Sequence, residues 1–395
     1  MFDRIDEPAA DALHGVMAKY RADPRPHKID LGVGVYRDES GHSPVMRAVK
    51  EAEEALAREE DSKAYQALHG DAAFVEAMTG LVFGPDHPAV REGRIAAIQG
   101  TGGTGSLRIA FDLARNANPK ARVHLGLPTW PNHVSLIEAA RLELAAHVYF
   151  DIPTQTIDRA AIEAAAASAG EGDLFVFHGP CHNPTGADLS ADERASLLAT
   201  LSARGAVPLM DVAYYGLGDG LEADLAVVRD LAANAERAFI AVACSKSFGL
   251  YRERTGILFV LCATSAERDR IHGEIARISR TLVSMPPAHG AGTVARILAD
   301  PRLRAMWEEE LEQMRQRMLG LRAELAALAN RAPMLRGIET QKGIFRMLPL
   351  TPAQTESLGR DHAIHMAPSG RINIAGLKRG DAQRLAEAPA ILPGG

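Results

Sequence analysis

Between residues 95 and 265, short apolar runs alternate with longer stretches in which apolar positions recur every three or four residues. The runs at 95–99, 123–127, 174–178, 207–210, 239–243 and 256–261 predict strands. The stretches at 106–117, 192–204 and 225–234 predict helices. This alternation predicts an α/β fold, with a mainly parallel sheet covered by helices on both faces. Such sheets bind ligands at the carboxyl ends of their strands. The residues that follow the runs there are polar or glycine-rich, at 100–105, 128–133, 179–186, 211–218 and 245–254.

Beyond this region the period changes. Leu303, Trp307, Leu311, Met314, Met318, Leu321, Leu325 and Leu328 are spaced four or three apart, alternating from Trp307 onward. A coiled coil would share that spacing, but the run covers only about four heptads and contains Gly320. One long helix packed along the main domain and bridging into a C-terminal domain is the better reading. The tail after Arg331 reads as an α+β segment, with the first 40 residues packing against it. The alanine-rich stretch at 160–169 reads as a plain helix. No internal repeat is present.

With 395 residues, the chain is long for a single core, and a two-domain division follows. The expected division is a large domain at 41–312 and a small α+β domain from 1–40 and 313–395. Hydrophobic residues at 47% and charged residues at 24% are ordinary for a globular chain. The net charge of −6 is spread without any Lys/Arg block, which argues against nucleic acid or an anionic lipid surface as a partner. Small anionic substrates stay open, because a few arginines can be focused in one cleft. Three cysteines, Cys181, Cys244 and Cys262, make no disulfide framework. The start of the chain lacks a basic segment followed by an apolar one, and no apolar run is long enough to span a membrane. The expected location is cytoplasmic.

Gly100-Thr101-Gly102-Gly103-Thr104-Gly105 matches the dinucleotide fingerprint GxGxxG between a strand and a helix. The acidic residue that should bind a ribose about 20 positions later is missing, since no Asp or Glu occurs between Leu113 and Ile137. Glycines at a helix start still bind a phosphate through free backbone N–H groups. The motif therefore points to a cofactor with a phosphate but no adenosine. His178, Cys181 and His182 lack the second ligand pair of a zinc site, so no metal is expected and packing or hydrogen-bonding roles are favoured.

Lys246 lies in Ala243-Cys244-Ser245-Lys246-Ser247-Phe248-Gly249-Leu250-Tyr251-Arg252-Glu253-Arg254, directly after an apolar strand. This segment, with Asp211-Val212-Ala213-Tyr214 and His182-Asn183-Pro184-Thr185-Gly186, resembles the class I aminotransferases of fold type I, which depend on pyridoxal 5′-phosphate (PLP). Leu31-Gly32-Val33-Gly34-Val35-Tyr36, Pro128-Thr129-Trp130-Pro131-Asn132-His133 and Pro368-Ser369-Gly370-Arg371-Ile372-Asn373 extend the resemblance over nearly the whole chain. The nearest branch is the bacterial aspartate and aromatic amino acid aminotransferases.

The resemblance implies a seven-stranded-type sheet and a set of roles. Lys246 matches the Schiff-base lysine that also shuttles a proton, which requires a destabilised ammonium. Asp211 matches the partner of the pyridinium nitrogen, with His133 behind it. Asn183 and Tyr214 match hydrogen-bond partners of the cofactor's phenolic oxygen, and Trp130 matches the aromatic stacked on its ring. Gly102, Gly103, Thr104, Ser245 and Arg254 are expected to hold the phosphate. Family members commonly carry a phosphate-binding serine where this chain has Ala243, so weaker cofactor binding is expected. The bonds Leu127-Pro128 and Asn183-Pro184 are cis in the family.

Arg371 matches the clamp on the substrate α-carboxylate, and Gly34 lies in a substrate-contacting segment. Tyr65 and Arg280 match residues that reach the active site of the neighbouring subunit, implying a homodimer with shared sites. Arg280 there meets a distal carboxylate. Leu282 and Val283 are more apolar than in aspartate-specific members, and Tyr215 and Leu217 are expected to alter the pocket further. The expected activity is amino transfer from an aromatic amino acid or aspartate to 2-oxoglutarate by a ping-pong PLP/PMP mechanism. The alternatives are an aspartate-specific aminotransferase or another fold type I enzyme such as a β-lyase. A regulator built on such a domain would need a DNA-binding domain ahead of residue 31, where the first motif already begins.

Overall fold

The computed structural model describes residue 2 and residues 12–388. Most of the N-terminal stretch read for a leader, and the last seven residues of the tail, lie outside the described residues. The centre is a seven-stranded sheet made of Ile95–Thr101 (β1), Arg122–Leu127 (β2), Glu143–Val148 (β3), Leu174–His178 (β4), Val207–Val212 (β5), Ala238–Ala243 (β6) and Thr255–Leu261 (β7). Across the sheet the order is β1-β7-β6-β5-β4-β2-β3. β7 runs antiparallel to β1 and β6, and every other pairing is parallel.

The strands are continuous apolar runs because both faces are covered. Successive side chains point to opposite faces. Thus Met210, Val212, Ile240, Val242, Ile257 and Phe259 enter one apolar cluster. Leu209, Phe239, Ala241, Leu258 and Val260 enter the other. All six predicted strands are present within one or two residues of their expected ends. The sequence reading missed β3, an edge strand whose residues are all exposed or half-buried.

The order reverses between β2 and β4, so the loops after these two strands diverge. A cleft therefore opens at their carboxyl ends. Register places His178, the last residue of β4, opposite Asp211 near the end of β5.

The long C-terminal helix is observed at Pro301–Ala327, started by Asp300, whose carboxylate accepts from the N–H groups of Arg302 and Leu303. Leu303, Trp307, Leu311, Met314 and Met318 join a cluster on the sheet. Leu321 and Leu325 join a separate cluster made by Ile29, Leu31 and residues beyond 331. Ile29–Asp30 pairs in parallel with Ile364–His365, and Phe345–Met347 pairs antiparallel with Arg371–Asn373. Asp23 ties the same region together, receiving bonds from Arg25 and His365. Among the described residues, no helix is long and apolar enough to cross a membrane.

Candidate active site

At the carboxyl ends of β2, β4, β5 and β6 lies a cleft of about 240 Å³. It gathers Lys246 and Asp211, the loop residues Trp130, Asn183 and Tyr214, and Arg371 from the C-terminal part. Gly34, Gly103, Thr104, Ser245 and Arg254 complete its lining among the residues expected from sequence. A second cavity of about 310 Å³ shares His178, Gly179 and Pro180 with the cleft but contains none of the expected site residues.

Lys246 follows β6 and sits with its Nζ 4.9 Å from the centre of the Tyr214 ring. Burial lowers its pKa; Asp211 opposes that shift and Arg254 adds to it. The result is an amine more readily neutral than a solvated lysine. Burial likewise pushes the Tyr214 phenol well up, so it stays a donor. Asn183 Nδ2 stands 3.5 Å from the Tyr214 hydroxyl, and its buried Oδ1 has no protein partner. Both Leu127-Pro128 and Asn183-Pro184 are cis.

Asp211 is held by a directional chain of hydrogen bonds. Burial alone would raise its carboxyl pKa, but the bond and charge of His133, with His178 and Lys246, bring it below the ordinary range. The ionised carboxylate only accepts, so His133 Nε2 donates to it across 3.1 Å. At the far end, the Asn183 N–H donates to His178 Nδ1 at 3.4 Å. Burial keeps His178 neutral, so its Nε2 carries the proton and donates to Thr129 Oγ1 at 2.9 Å. Thr129 Oγ1 is also 2.9 Å from His133 Nδ1, which links the two rings through one hydroxyl.

At the other side of the cleft begins the helix Gly102–Ala117. No side chain caps it, so the N–H groups of its first turn face the cleft without intrahelical partners. Gly102 has φ +68°, where a side chain would be strained, and a Cβ there would lie 2.6 Å from Arg254 Nη2 and push that guanidinium aside. Arg254 is itself held at φ +55°, with Nη1 bonded to the Tyr251 carbonyl at 2.9 Å and 3.5 Å from Ser245 Oγ. Backbone N–H groups, a hydroxyl and a guanidinium converge as a phosphate-binding cradle requires. Ala243 lines the same cradle beside Gly103.

Arg371 is 6% exposed and donates one bond from Nη2 to the Gly32 carbonyl at 2.9 Å, while its buried Nε is unpaired. Its guanidinium lies 4.6 Å over the Phe345 ring. Asn373 secures the adjoining segment through the carbonyls of Val33 and Val35. Tyr251 accepts from the Tyr36 N–H at 2.9 Å. Gly34 is thus carried on a strap tied to both the Lys246 loop and the Arg371 strand.

Four expected residues are not in the cleft lining: His133 stands behind Asp211, Gly102 lies at the helix start beside Arg254, and Tyr65 and Arg280 lie apart from the cleft. Tyr65 is 92% exposed, and Arg280 is exposed at the end of the helix Ser265–Val283. They share one region of the surface, since the Gln66 N–H approaches Met285 Sδ at 2.8 Å. Leu282 and Val283 are exposed beside Arg280. Tyr215 and Leu217, expected to alter the pocket, are instead buried in the core and absent from its lining. Tyr215 follows Tyr214 in the chain and turns away from the cleft into the packed interior.

Sequence reasoning missed Thr129, Tyr251 and Phe345, and read His178 only as a failed metal ligand. His178 had a usable signal, because it ends a strand that pairs with the strand bearing Asp211. Its Nε2 meets Thr129, while His182 meets Thr185 at 2.9 Å and stacks on Tyr149. Among the described residues, no cluster has the donor set of a metal site.

An activated lysine, a carboxylate fixed by a histidine, a phosphate cradle and a buried arginine define a PLP-dependent enzyme acting on amino acids. The model of the class I and II aminotransferases matches residues 26–388, and the chain belongs to that family. It is 45% identical to a tyrosine aminotransferase of Rhizobium meliloti over 387 residues, which cover 98% of each chain. It is 38% identical to an aspartate aminotransferase of Escherichia coli, covering 98% of this chain and 99% of the relative. Among solved structures, the aromatic-amino-acid aminotransferase of Burkholderia pseudomallei, covalently bound to pyridoxal phosphate, superposes with a TM-score of 0.96. That pair is 37% identical, with both chains fully covered.

Proposed function

We propose that this aminotransferase moves the amino group of an aromatic amino acid or of aspartate to 2-oxoglutarate in a ping-pong exchange. The convergence of Lys246, Asp211 and Arg371 on one cleft with a phosphate cradle carries this reading. Bound there, PLP supplies a carbonyl that condenses with amines and a protonated ring that accepts electron density from the substrate's Cα. Arg371 lines the cleft, and its fork of N–H groups grips the α-carboxylate by two parallel bonds, orienting the Cα–H bond. Lys246, buried and readily neutral, would take the proton from the substrate's Cα and return it to the cofactor carbon that bore the carbonyl. Asp211 keeps a proton on the ring nitrogen, and the chain through His133, Thr129 and His178 keeps Asp211 an acceptor. Asn183 and Tyr214 face the position of the ring oxygen, Trp130 covers the ring, and Gly34 lies on the substrate side. Gly102, Gly103, Thr104, Ser245 and Arg254 hold the phosphate.

The active unit in this reading is a homodimer. Tyr65 and Arg280 are exposed on one chain, and each completes the partner's site, Tyr65 at the phosphate and Arg280 at a distal carboxylate. Leu282 and Val283 beside Arg280 supply apolar surface for an aromatic ring when that arginine swings aside. Residues 41–312 form the large domain, and 1–40 with 313–395 the small one. Three free, buried cysteines accord with a cytoplasmic location.

The test is kcat/KM for aspartate and for phenylalanine, each with 2-oxoglutarate. Both substrates should react. Aspartate reacting alone would leave an aspartate-specific enzyme, and release of ammonia would point to a β-lyase.

A further inference from the structure

The helix Pro301–Ala327 grips both working ends of the cleft. Near its start, Trp307 is fully buried and donates from Nε1 to the carbonyl of Ser247, the residue after Lys246, at 2.7 Å. The Phe248 ring stacks on the indole at 4.3 Å. Ser247 Oγ in turn donates to the Tyr215 carbonyl at 2.6 Å, joining the lysine loop to the loop that carries Asp211 and Tyr214.

Fifteen residues further along the same helix, roughly 22 Å by helical rise, Arg322 makes the second grip. It is 2% exposed and makes no ion pair with a carboxylate among the described residues. It donates to the carbonyls of Ile338, Lys342, Gly343 and Phe345 at 2.9–3.0 Å. A buried guanidinium held only by carbonyls is costly, and a leucine would fill an apolar stripe more cheaply. What Arg322 holds is the segment that ends in Phe345, whose ring supports Arg371, and whose strand pairs with the Arg371 strand.

We propose that Trp307 and Arg322 are positioning residues, and that the one rigid helix carrying both sets the spacing between the Lys246 amine and the Arg371 guanidinium. The proposal rests on the function given above. It predicts a division of effects that a merely structural role would not produce. Removing the indole N–H leaves the Ser247 carbonyl unpaired and reseats the lysine, which affects proton transfer. Weakening the Arg322 grip reseats the carboxylate clamp, which affects substrate binding.

The experiment uses the holoenzyme with aspartate and 2-oxoglutarate, and compares Trp307→Phe, Arg322→Lys and Phe248→Leu with the parent. Each is measured for kcat, KM, melting temperature and the pH midpoint of the bound cofactor's visible absorbance without substrate. Trp307→Phe keeps a stacked ring and should lose kcat by about tenfold, with KM within about twofold and the pH midpoint moved. Arg322→Lys should raise KM by about tenfold, with kcat within about twofold and the midpoint unmoved. Phe248→Leu keeps the indole bond, so its melting temperature should fall while kcat holds within about twofold. Trp307→Phe with parental kcat and midpoint would overturn the proposal. So would a loss of kcat in Phe248→Leu equal to that in Trp307→Phe, or a proportional change of kcat and KM in both grip variants. A parent that neither binds PLP nor transaminates would refute the functional reading itself, before any variant is compared.

Discussion

Ala243→Ser should tighten cofactor binding. Ala243 ends β6 fully within the cleft lining, and its Cβ lies 3.2 Å from where a Cβ on Gly103 would stand. Because Gly103 has none, a serine hydroxyl at 243 has room to point toward the free N–H groups of the helix start, Ser245 and Arg254. It would add one hydrogen bond to a charged phosphate in a site already built for it. Net bonds to charged groups stabilise by about 1.5–3 kcal/mol, and ordering and desolvating the new hydroxyl reduces this to about 1–2 kcal/mol. PLP should therefore bind the variant about 5- to 30-fold more tightly. The chain has two tryptophans, of which Trp130 lines the cleft and Trp307 is buried away from it. Titrating PLP into apoenzyme while following tryptophan fluorescence thus reads the cleft. Gly103→Ala is the opposing control, since its methyl would crowd Ala243 and fill the cradle. Equal or weaker affinity in Ala243→Ser, with an unchanged melting temperature of the apoenzyme, would refute the reasoning.

Other perturbations separate the remaining roles. Arg371→Lys replaces two parallel bonds by a point charge and should lower kcat/KM for every substrate by roughly 30-fold, about 2 kcal/mol. Arg280→Leu should lower kcat/KM for aspartate by about 100-fold while phenylalanine stays within about threefold, and a parallel loss for both would refute a role in distal-carboxylate recognition. Asp23 pairs with Arg25 and His365, and the Arg25 bonds hold its carboxyl well below the ordinary value of 3.8. A depressed folded-state pKa adds stability that is fully present above pH 3.8 and is lost as pH falls below it. Asp23→Asn should therefore lower the melting temperature at neutral pH and flatten its decline below pH 4; an unchanged acid limb would contradict this.

Much of the site was legible because its chemistry needs residue types that are costly elsewhere. A lysine directly after an apolar strand, an aspartate ending another and glycines opening a helix each break the local pattern, and the cleft brings them together. The strands were legible for a similar reason, since burial on both faces makes them continuous apolar runs. β3 was not, because an edge strand shields little and its residues are all exposed or half-buried. The antiparallel direction of β7 was hidden too, as an apolar run carries no sign of its direction. Tyr215 and Leu217 were misjudged because adjacency in the chain does not fix which way a side chain turns. Arg322 and Arg346, both buried, interrupt no obvious pattern, and their acceptors, main-chain carbonyls and for Arg346 also the Gln341 side chain, are brought near only by the fold.

The central claim is that Lys246 carries PLP and that this cleft exchanges amino groups. It is tested most directly by the visible spectrum of the purified protein with PLP, recorded before and after adding aspartate or phenylalanine, with the keto acid product counted. The parent should show a cofactor band that shifts on adding either amino acid, with one keto acid formed per site and no ammonia, and Lys246→Ala should form none. A parent that stays colourless and inactive with added PLP, or an active Lys246→Ala, would contradict the account.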